Sequence, residues 1–361
     1  MTVFNEANIE LEVPDFVKIT SKNEVFYNPI MSFNRDISLL NLWMLPNDLS
    51  ILCGMAGTGV RAIRYAKSGF NKVTANDINP KAYDLIIRNA ELNKVNLRAT
   101  CMDFNLIEDR YDLIDIDPFG SPVRYLHPSF RLFGRSGNLF VTATDTAALC
   151  GSSKRACIRK YSAYPMKTSY CHEVGLRLLL GYMVRQAASW NFGAYPKLCF
   201  YKDHYMRAHI ALEKGKRKAD GSMESLGFLH HCDKCKNRFF SKSPVCTCDC
   251  GAKLRIAHPV WGGNLFDNAL VETMIENIGN VPLHDPGAVR DFLGVVKNEV
   301  ESPFYWDSHD IFSYLKIHVP PMSKILEMIK EAGYSASRTH FNPMGFKTDA
   351  DYRALIQIFS K

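Results

Sequence analysis

From residue 49 onward, short apolar runs alternate with stretches whose apolar positions recur every three to four residues. The runs at 49–53, 72–76, 97–102, 113–116 and 138–142 are too short for helices and are bounded by Gly, Asp or Asn, the pattern of buried strands. Between them, 59–68 and 80–92 carry helical periodicity. The second has Pro80 in its first turn, where a missing N–H breaks no intrahelical bond. Residues 170–190 hold a continuous apolar face long enough for a helix, and 198–202 with 209–213 read as two last strands joined by a short turn. The alternation predicts an α/β fold around a mostly parallel sheet of seven strands.

Beyond that sheet the pattern changes. Residues 214–227 are polar, basic and glycine-containing, and read as a basic linker. A cysteine-rich insert spans 228–258. The remainder, 259–361, reads as a smaller α+β C-terminal domain, with 1–213 as the first domain. There are no internal repeats and no low-complexity tract. The most apolar stretch, 176–184, contains Arg177 and is far shorter than the roughly 20 residues a membrane span needs. Residues 1–14 hold three glutamates and no Lys or Arg, unlike a secretion leader. The expectation is a cytoplasmic protein with no membrane partner, acting as a monomer.

Charge changes the picture when it is located. The chain has 44 Lys+Arg against 37 Asp+Glu, yet residues 151–217 alone hold 13 basic and 3 acidic side chains. A basic block in an otherwise near-neutral protein points to a polyanionic partner, nucleic acid above all. Cysteine is similarly uneven. Six of the eleven are scattered in mostly apolar stretches, including Cys53, Cys150 and Cys171, where a reduced thiol packs as a small hydrophobe. Five crowd together as Cys232, Cys235, Cys246, Cys248 and Cys250. An odd total without a leader argues for a metal site over a disulfide framework.

The chemistry-bearing positions fall at strand ends. Gly54-Met55-Ala56-Gly57-Thr58-Gly59 links the first strand to the first helix, where glycines let the backbone approach a ligand. Any tight turn wants glycine, so the loop alone decides little. Asp77, closing the second strand, stands where a carboxylate accepts both ribose hydroxyls, and Asp103, closing the third, where one accepts from an adenine amino group. The loop lacks G-x-G-x-x-G and is followed by no Gly-Lys-Ser/Thr, which disfavours a dinucleotide or a nucleoside triphosphate. At the end of the fourth strand stands Asp115-Ile116-Asp117-Pro118-Phe119-Gly120-Ser121-Pro122. Methyltransferases of amino groups with a Rossmann-like fold place an acid or amide, a proline and an aromatic there. An exocyclic base amine is a poor nucleophile. A carboxylate that accepts its hydrogen can aim its lone pair at a methyl donor and take the proton afterwards. Phe119 offers a face to a base taken out of its stack.

These motifs, with Glu24-Val25-Phe26-Tyr27-Asn28-Pro29, Asn34-Arg35-Asp36, Thr142-Ala143-Thr144-Asp145, Thr339-His340-Phe341 and Lys347-Thr348, make nearly the whole chain resemble the tRNA guanine-26 N2-dimethyltransferase family. The resemblance implies a Rossmann-like domain that binds S-adenosylmethionine and methylates N2 of guanosine 26 twice, with tRNA as partner. Arg35, Arg61, Asp77, Asp103 and the Phe104 amide then contact the cofactor. Asp117 is the catalytic carboxylate, and Phe26 with Phe119 sandwiches the target guanine. Arg64, one turn after Arg61, is left to hold structure. Lys154, Arg155, Arg159 and Lys160 form a basic face that Lys202 and Arg207 extend, and Arg338, His340 and Lys347 look like phosphate contacts. The chain departs from the pattern at Cys53, where such enzymes often carry an acid, and in its zinc ribbon. Cys232-x2-Cys235 is a normal knuckle, but the second half reads Cys246-Thr247-Cys248-Asp249-Cys250-Gly251. Cys250 is the third ligand to a structural Zn2+, and the fourth is Cys246 or Cys248. Two alternatives remain open: N-methylation of another guanine or an adenine in tRNA, rRNA or DNA, and a non-catalytic RNA-binding protein with a vestigial cofactor fold.

Overall fold

Seven strands form one sheet, ordered across it as Arg98–Cys101, Lys72–Asp77, Ser50–Cys53, Leu113–Ile116, Ser136–Ala143, Tyr205–Lys214 and Phe192–Lys202. The computed structural model describes residues 2–14 and 25–360; Glu24, which opens the aromatic motif, lies outside them. The first five strands in this order pair in parallel, with Cys53 opposite both Ala75 and Asp115, and Asp77 opposite Cys101. Strand order reverses at Ser50–Cys53, whose two neighbours come from opposite directions along the chain. Open α/β sheets bind ligands outside the carboxyl ends of strands at such a switch point.

The expected elements stand where their patterns put them, within a few residues at the ends, except that the strands expected at 198–202 and 209–213 start earlier, as Phe192–Lys202 and Tyr205–Lys214. Helix Val60–Lys67 follows the glycine loop. Helix Pro80–Leu92 begins at Pro80 and is capped by the Asn79 side chain, which accepts from the Lys81 amide. The 19-residue helix Cys171–Ser189 buries Leu176, Leu178, Leu179 and Leu180 completely. No helix among the described residues is long and apolar enough to cross a membrane.

Ahead of the sheet an antiparallel hairpin, Thr2–Glu6 and Ile9–Val13, escaped the sequence pattern. Its alternation turns Ile9, Leu11 and Val13 onto Tyr27, Val60 and Ile63. Asn89 and Asn93, four residues apart on one helix face, cover its free edge. Asn89 Oδ1 accepts from the Glu12 amide at 2.7 Å and Asn93 Oδ1 from the Glu10 amide at 3.0 Å.

The chain forms two compact units, and neither is continuous: Met1–Thr144 with Arg207–Gly215 and Asp267–Leu293, and Asp145–Met206 with Lys216–Phe266 and Gly294–Lys361. This division differs from the expected boundaries at 213, 227 and 258, and hydrogen bonds give the reason. In the first unit, the amides of His284 and Asp285 bind the Asp36 carboxylate at 2.9–3.1 Å, and Pro282 O accepts from buried Arg64. In the second, Glu173 accepts from the amides of Phe304 and Tyr305, while Arg177 donates to the carbonyls of Trp261 and Gly263. The expected linker is largely ordered as helix Lys216–Met223, which buries Ala219 and Ser222 despite its basic composition.

The second unit also holds two three-stranded antiparallel sheets. Leu226–His231 lies between Arg238–Ser241 and Arg255–Trp261 in one; Gly345–Thr348 lies between Trp306–Asp307 and Ala336–Arg338 in the other. Trp306, Phe312, Ile325, Ile329, Phe346 and Leu355 form a separate apolar core beside the latter. The expected α+β C-terminal region is present.

Candidate active site

The glycine loop closes on the end of the neighbouring strand. Gly57 has φ +55°, and a Cβ there would stand 2.9 Å from the Phe26 carbonyl oxygen, so the position admits only glycine without rearrangement. Its amide donates to Asp77 Oδ2 at 2.8 Å, and the Asn79 amide to Oδ1 at 3.0 Å. Two backbone donors fix the carboxylate while leaving it partly exposed. Asp103 is oriented similarly by the Asn105 amide at 2.9 Å, and the Phe104 ring is buried against Gly54. Beside these carboxylates Ile78 and Met102 are 66% and 40% exposed. Apolar side chains left in water at two adjacent strand ends suit a planar ring, and nothing in the local sequence pattern marks either one.

The second cluster is built on the strand Leu113–Ile116. Strand alternation sends Asp115 and Asp117 toward the same face. Asp115 is fully buried and fully paired: Arg207 donates Nη1 to Oδ1 at 2.9 Å and Nη2 to Oδ2 at 2.6 Å, and the Tyr65 hydroxyl donates to Oδ2 at 2.9 Å. Arg207 is itself completely buried, with Ser38, Thr142 and His209 around it. It therefore does not extend an RNA-binding surface. Its charge is consumed by a carboxylate 92 residues away in sequence, a pairing that composition cannot reveal.

Asp117 sits one step past the strand end, its side chain 24% exposed. Arg61 donates Nη2 to Asp117 Oδ2 and, at 2.9 Å, to Asn34 Oδ1, and its Nη1 stands 3.5 Å from Asp115. Burial by itself would raise the Asp117 carboxyl, but the Arg61 and Arg207 guanidiniums outweigh it and hold the group below the usual carboxylate range. Asp117 is thus ionised at neutral pH. The Arg61 Nη1 is buried and meets no hydrogen-bond geometry among the described residues, standing 3.5 Å from the Asp115 carboxylate.

Arg35, expected alongside Arg61, is buried on Glu6: Nε and Nη2 reach its two oxygens at 2.7 and 2.5 Å, and Nη2 also reaches Asn28 O at 3.1 Å. Arg64 binds Glu6 and Asp36 at 3.1 and 2.5 Å. These pairs tie the N-terminal hairpin to helices Ser32–Trp43 and Val60–Lys67.

Phe26 and Phe119 meet edge-to-face with ring centroids 4.1 Å apart, and Phe119 is 50% exposed. The turn carrying Phe119 is fixed behind it. Gly120 donates to Thr144 Oγ1 at 2.7 Å and accepts from the Thr144 amide at 2.9 Å, which accounts for Thr144 in the sequence motif.

Four of the five clustered cysteines converge. The sulfurs of Cys232, Cys235, Cys248 and Cys250 lie within 4.8 Å of one another, with the pairs 232–250 and 235–248 at 3.6 Å. Tetrahedral zinc with bonds of about 2.3 Å sets its sulfurs about 3.8 Å apart, so the four fit Zn2+. Cys246 is exposed and outside the group; the alternative that spacing left open falls to Cys248.

Basic residues divide into two kinds. Lys154, Arg155, Arg159 and Lys160 are all exposed on helix Lys154–Tyr161, with Lys160 paired to Asp145 at 3.0 Å. Lys202 is half-buried, and Arg338 is exposed. Lys347 is not: it is buried between Glu173 and Glu299, at 3.2 and 2.9 Å. His340 Nδ1 binds Glu299 at 2.8 Å. These two, expected on phosphates, are spent on buried carboxylates instead.

A model of the family described as N2,N2-dimethylguanosine tRNA methyltransferase matches residues 7–360. The tRNA (guanine(26)-N(2))-dimethyltransferase of Methanocaldococcus jannaschii is 39% identical over 373 aligned positions, covering 98% of this chain and 97% of that protein. The protein of the same description from Methanothermobacter thermautotrophicus is 37% identical over 366 positions, covering 97% and 96%. Among solved structures, Trm1 from Pyrococcus horikoshii in complex with S-adenosyl-L-methionine matches with a TM-score of 0.91 at 34% identity, covering 99% of each chain.

Proposed function

The chain belongs to the N2,N2-dimethylguanosine tRNA methyltransferase family, and from that premise we propose that Asp117 is the carboxylate at which its reaction takes place. The activity is transfer of methyl groups from S-adenosylmethionine to the exocyclic N2 of guanosine 26 in tRNA, two successive transfers giving N2,N2-dimethylguanosine. The observation that carries the assignment is the ionised, quarter-exposed carboxylate of Asp117 beside the Phe26–Phe119 pair.

The residues present fit the methyl donor. Asp77, held by the Gly57 and Asn79 amides, offers acceptors for the two ribose hydroxyls; Asp103 and the Phe104 amide offer an acceptor and a donor for the adenine edge. Arg61, which ion-pairs with Asp115 and Asp117, is the cation that would stand beside the methionine carboxylate. Arg35 serves the same region by fixing Glu6 and Asn28. When bound, S-adenosylmethionine supplies an electrophilic methyl group on a sulfonium.

Asp117 accepts a hydrogen bond from the guanine N2–H and so localises the nitrogen lone pair for attack. Once the new N–C bond forms, the nitrogen carries a surplus proton, which passes to Asp117 and then to water. A carboxylate held below its usual range is a weak base, suited to orienting the amine and to releasing the proton before a second round. The product N2-methyl amine keeps one hydrogen, so the same contact serves the second transfer.

A guanine lying between Phe26 and Phe119 needs the rings roughly 7 Å apart, twice an atomic contact of about 3.5 Å, and they now touch. Phe119, half exposed and on a turn, is the ring that moves. Guanosine 26 must leave its stack to reach Asp117, and the exposed cations of helix Lys154–Tyr161 would hold the tRNA backbone.

The test is methyl transfer with labelled cofactor to unmodified tRNA bearing guanosine or adenosine at position 26, followed by nucleoside mass analysis. Dimethylguanosine from the first and nothing from the second is expected. Equal labelling of both places the target elsewhere, and tRNA binding without transfer to either points to a vestigial site.

A further inference from the structure

We propose that Cys150, Cys171 and His172 form a second metal site, for a borderline-soft divalent cation of the zinc class, sharing no residue with the four-cysteine ribbon. One ligand atom from each lies within 4.8 Å of the others. In sequence the two cysteines looked like isolated buried thiols. The fold brings them together deliberately. Cys150 ends the short helix Thr146–Leu149, and Cys171 and His172 open helix Cys171–Ser189. The turn after Cys150 passes so close to the segment ahead of Cys171 that a Cβ on Gly151 would stand 2.7 Å from the Lys167 nitrogen. Gly151 also has φ +90°, which a side chain would strain.

The imidazole supplies an independent observation. His172 is stacked on Tyr201, with centroids 3.9 Å apart and planes 10° from parallel, so its plane is set. Its Nδ1 is buried with no hydrogen-bond partner among the described residues. A buried ring nitrogen without a partner is costly and calls for an ion or a water. Two thiols within 4.8 Å of a nitrogen of the same ring make a metal the better match. Thiolate and imidazole together select zinc over magnesium or calcium, which take oxygen ligands. A tetrahedral ion sets such ligand atoms about 3.5–3.8 Å apart, inside the 4.8 Å that the three atoms already meet. Three protein ligands leave a fourth position for water, unlike the closed ribbon.

The experiment counts metal in the full chain. Wild type, Cys171→Ser, His172→Asn and the ribbon variant Cys248→Ser are purified from zinc-supplemented medium, dialysed against a weak chelator and analysed for zinc, with circular dichroism to establish folding. Two zinc ions per wild-type chain are expected, one in Cys171→Ser or His172→Asn, and one in Cys248→Ser. Cobalt substitution gives a second readout that survives poor folding of any one variant. In Cys248→Ser, the remaining cobalt shows fewer thiolate charge-transfer bands than a four-cysteine site and loses them on further substitution of Cys171. One zinc per wild-type chain, unchanged in Cys171→Ser, overturns the proposal. So does a count of two that neither Cys171→Ser nor His172→Asn lowers.

Discussion

Replacing Arg207 by Met removes the cation beneath the proposed catalytic carboxylate while keeping most of the side-chain volume. Arg207 and Asp115 are both completely buried and share two hydrogen bonds of 2.9 and 2.6 Å. Without Arg207, Asp115 keeps the Tyr65 hydroxyl and a guanidinium at 3.5 Å, too little for a buried charge. Breaking one side of a buried pair costs about 3–5 kcal/mol. In a unit of this size that lowers the midpoint of thermal unfolding by roughly 6–20 °C. Adding Asp115→Asn removes the stranded charge, so the double variant should recover at least half of the loss. Arg207 is also one of the two cations that depress the Asp117 carboxyl, so its removal raises that group. The acid limb of the rate profile should then move to higher pH, because Asp117 becomes protonated sooner as pH falls. Thermal unfolding and kcat/KM between pH 4 and 8 provide both readings. An Arg207→Met midpoint within 2 °C of wild type, or a double variant no more stable than the single, would refute the reasoning.

Lys347→Met should destabilise the second unit by about 3–5 kcal/mol and leave the salt dependence of tRNA binding unchanged, since Lys347 faces Glu173 and Glu299 and not solvent. Burial would raise those two carboxyls, but Lys347 and their other partners hold them below the ordinary value of 4.5. Their contribution is therefore present above about pH 4.5 and lost as pH falls, and Lys347→Met should flatten that acid loss in a denaturation series. Cys246→Ser should keep the ribbon zinc, whereas Cys248→Ser should lose it, by metal analysis. Phe119→Ala should fold normally yet weaken methyl transfer by about 1–3 kcal/mol in kcat/KM, the worth of one base–aromatic stack.

The sheet was legible because its strands are short apolar runs punctuated by Gly, Asp and Asn, and that shortness and punctuation separate them from helices. The strand-end positions of Asp77, Asp103 and Asp117 followed from that layout. What escaped depends on pairings between distant segments. Arg207 and Lys347 look like surface cations until Asp115, Glu173 and Glu299 are seen to bury with them. Helix Lys216–Met223 reads as linker because its polar side chains outnumber the few it buries. The choice of Cys248 over Cys246 rests on one turn of backbone, where the Gly251 amide bonds the Cys248 carbonyl at 2.8 Å. The two discontinuous units follow from hydrogen bonds to Asp36 and Glu173 made by segments more than a hundred residues away.

Asp117→Ala assayed on unmodified tRNA with guanosine at position 26 bears most directly on the proposed chemistry. S-adenosylmethionine and tRNA affinities are measured on the same preparation. Transfer should fall by at least about 10²–10⁴-fold, the contribution of a positioned acid–base group, while both affinities persist because the Asp77 and Asp103 contacts and the basic helix are untouched. Dimethylguanosine formed at the wild-type rate by that variant would contradict the assignment of Asp117.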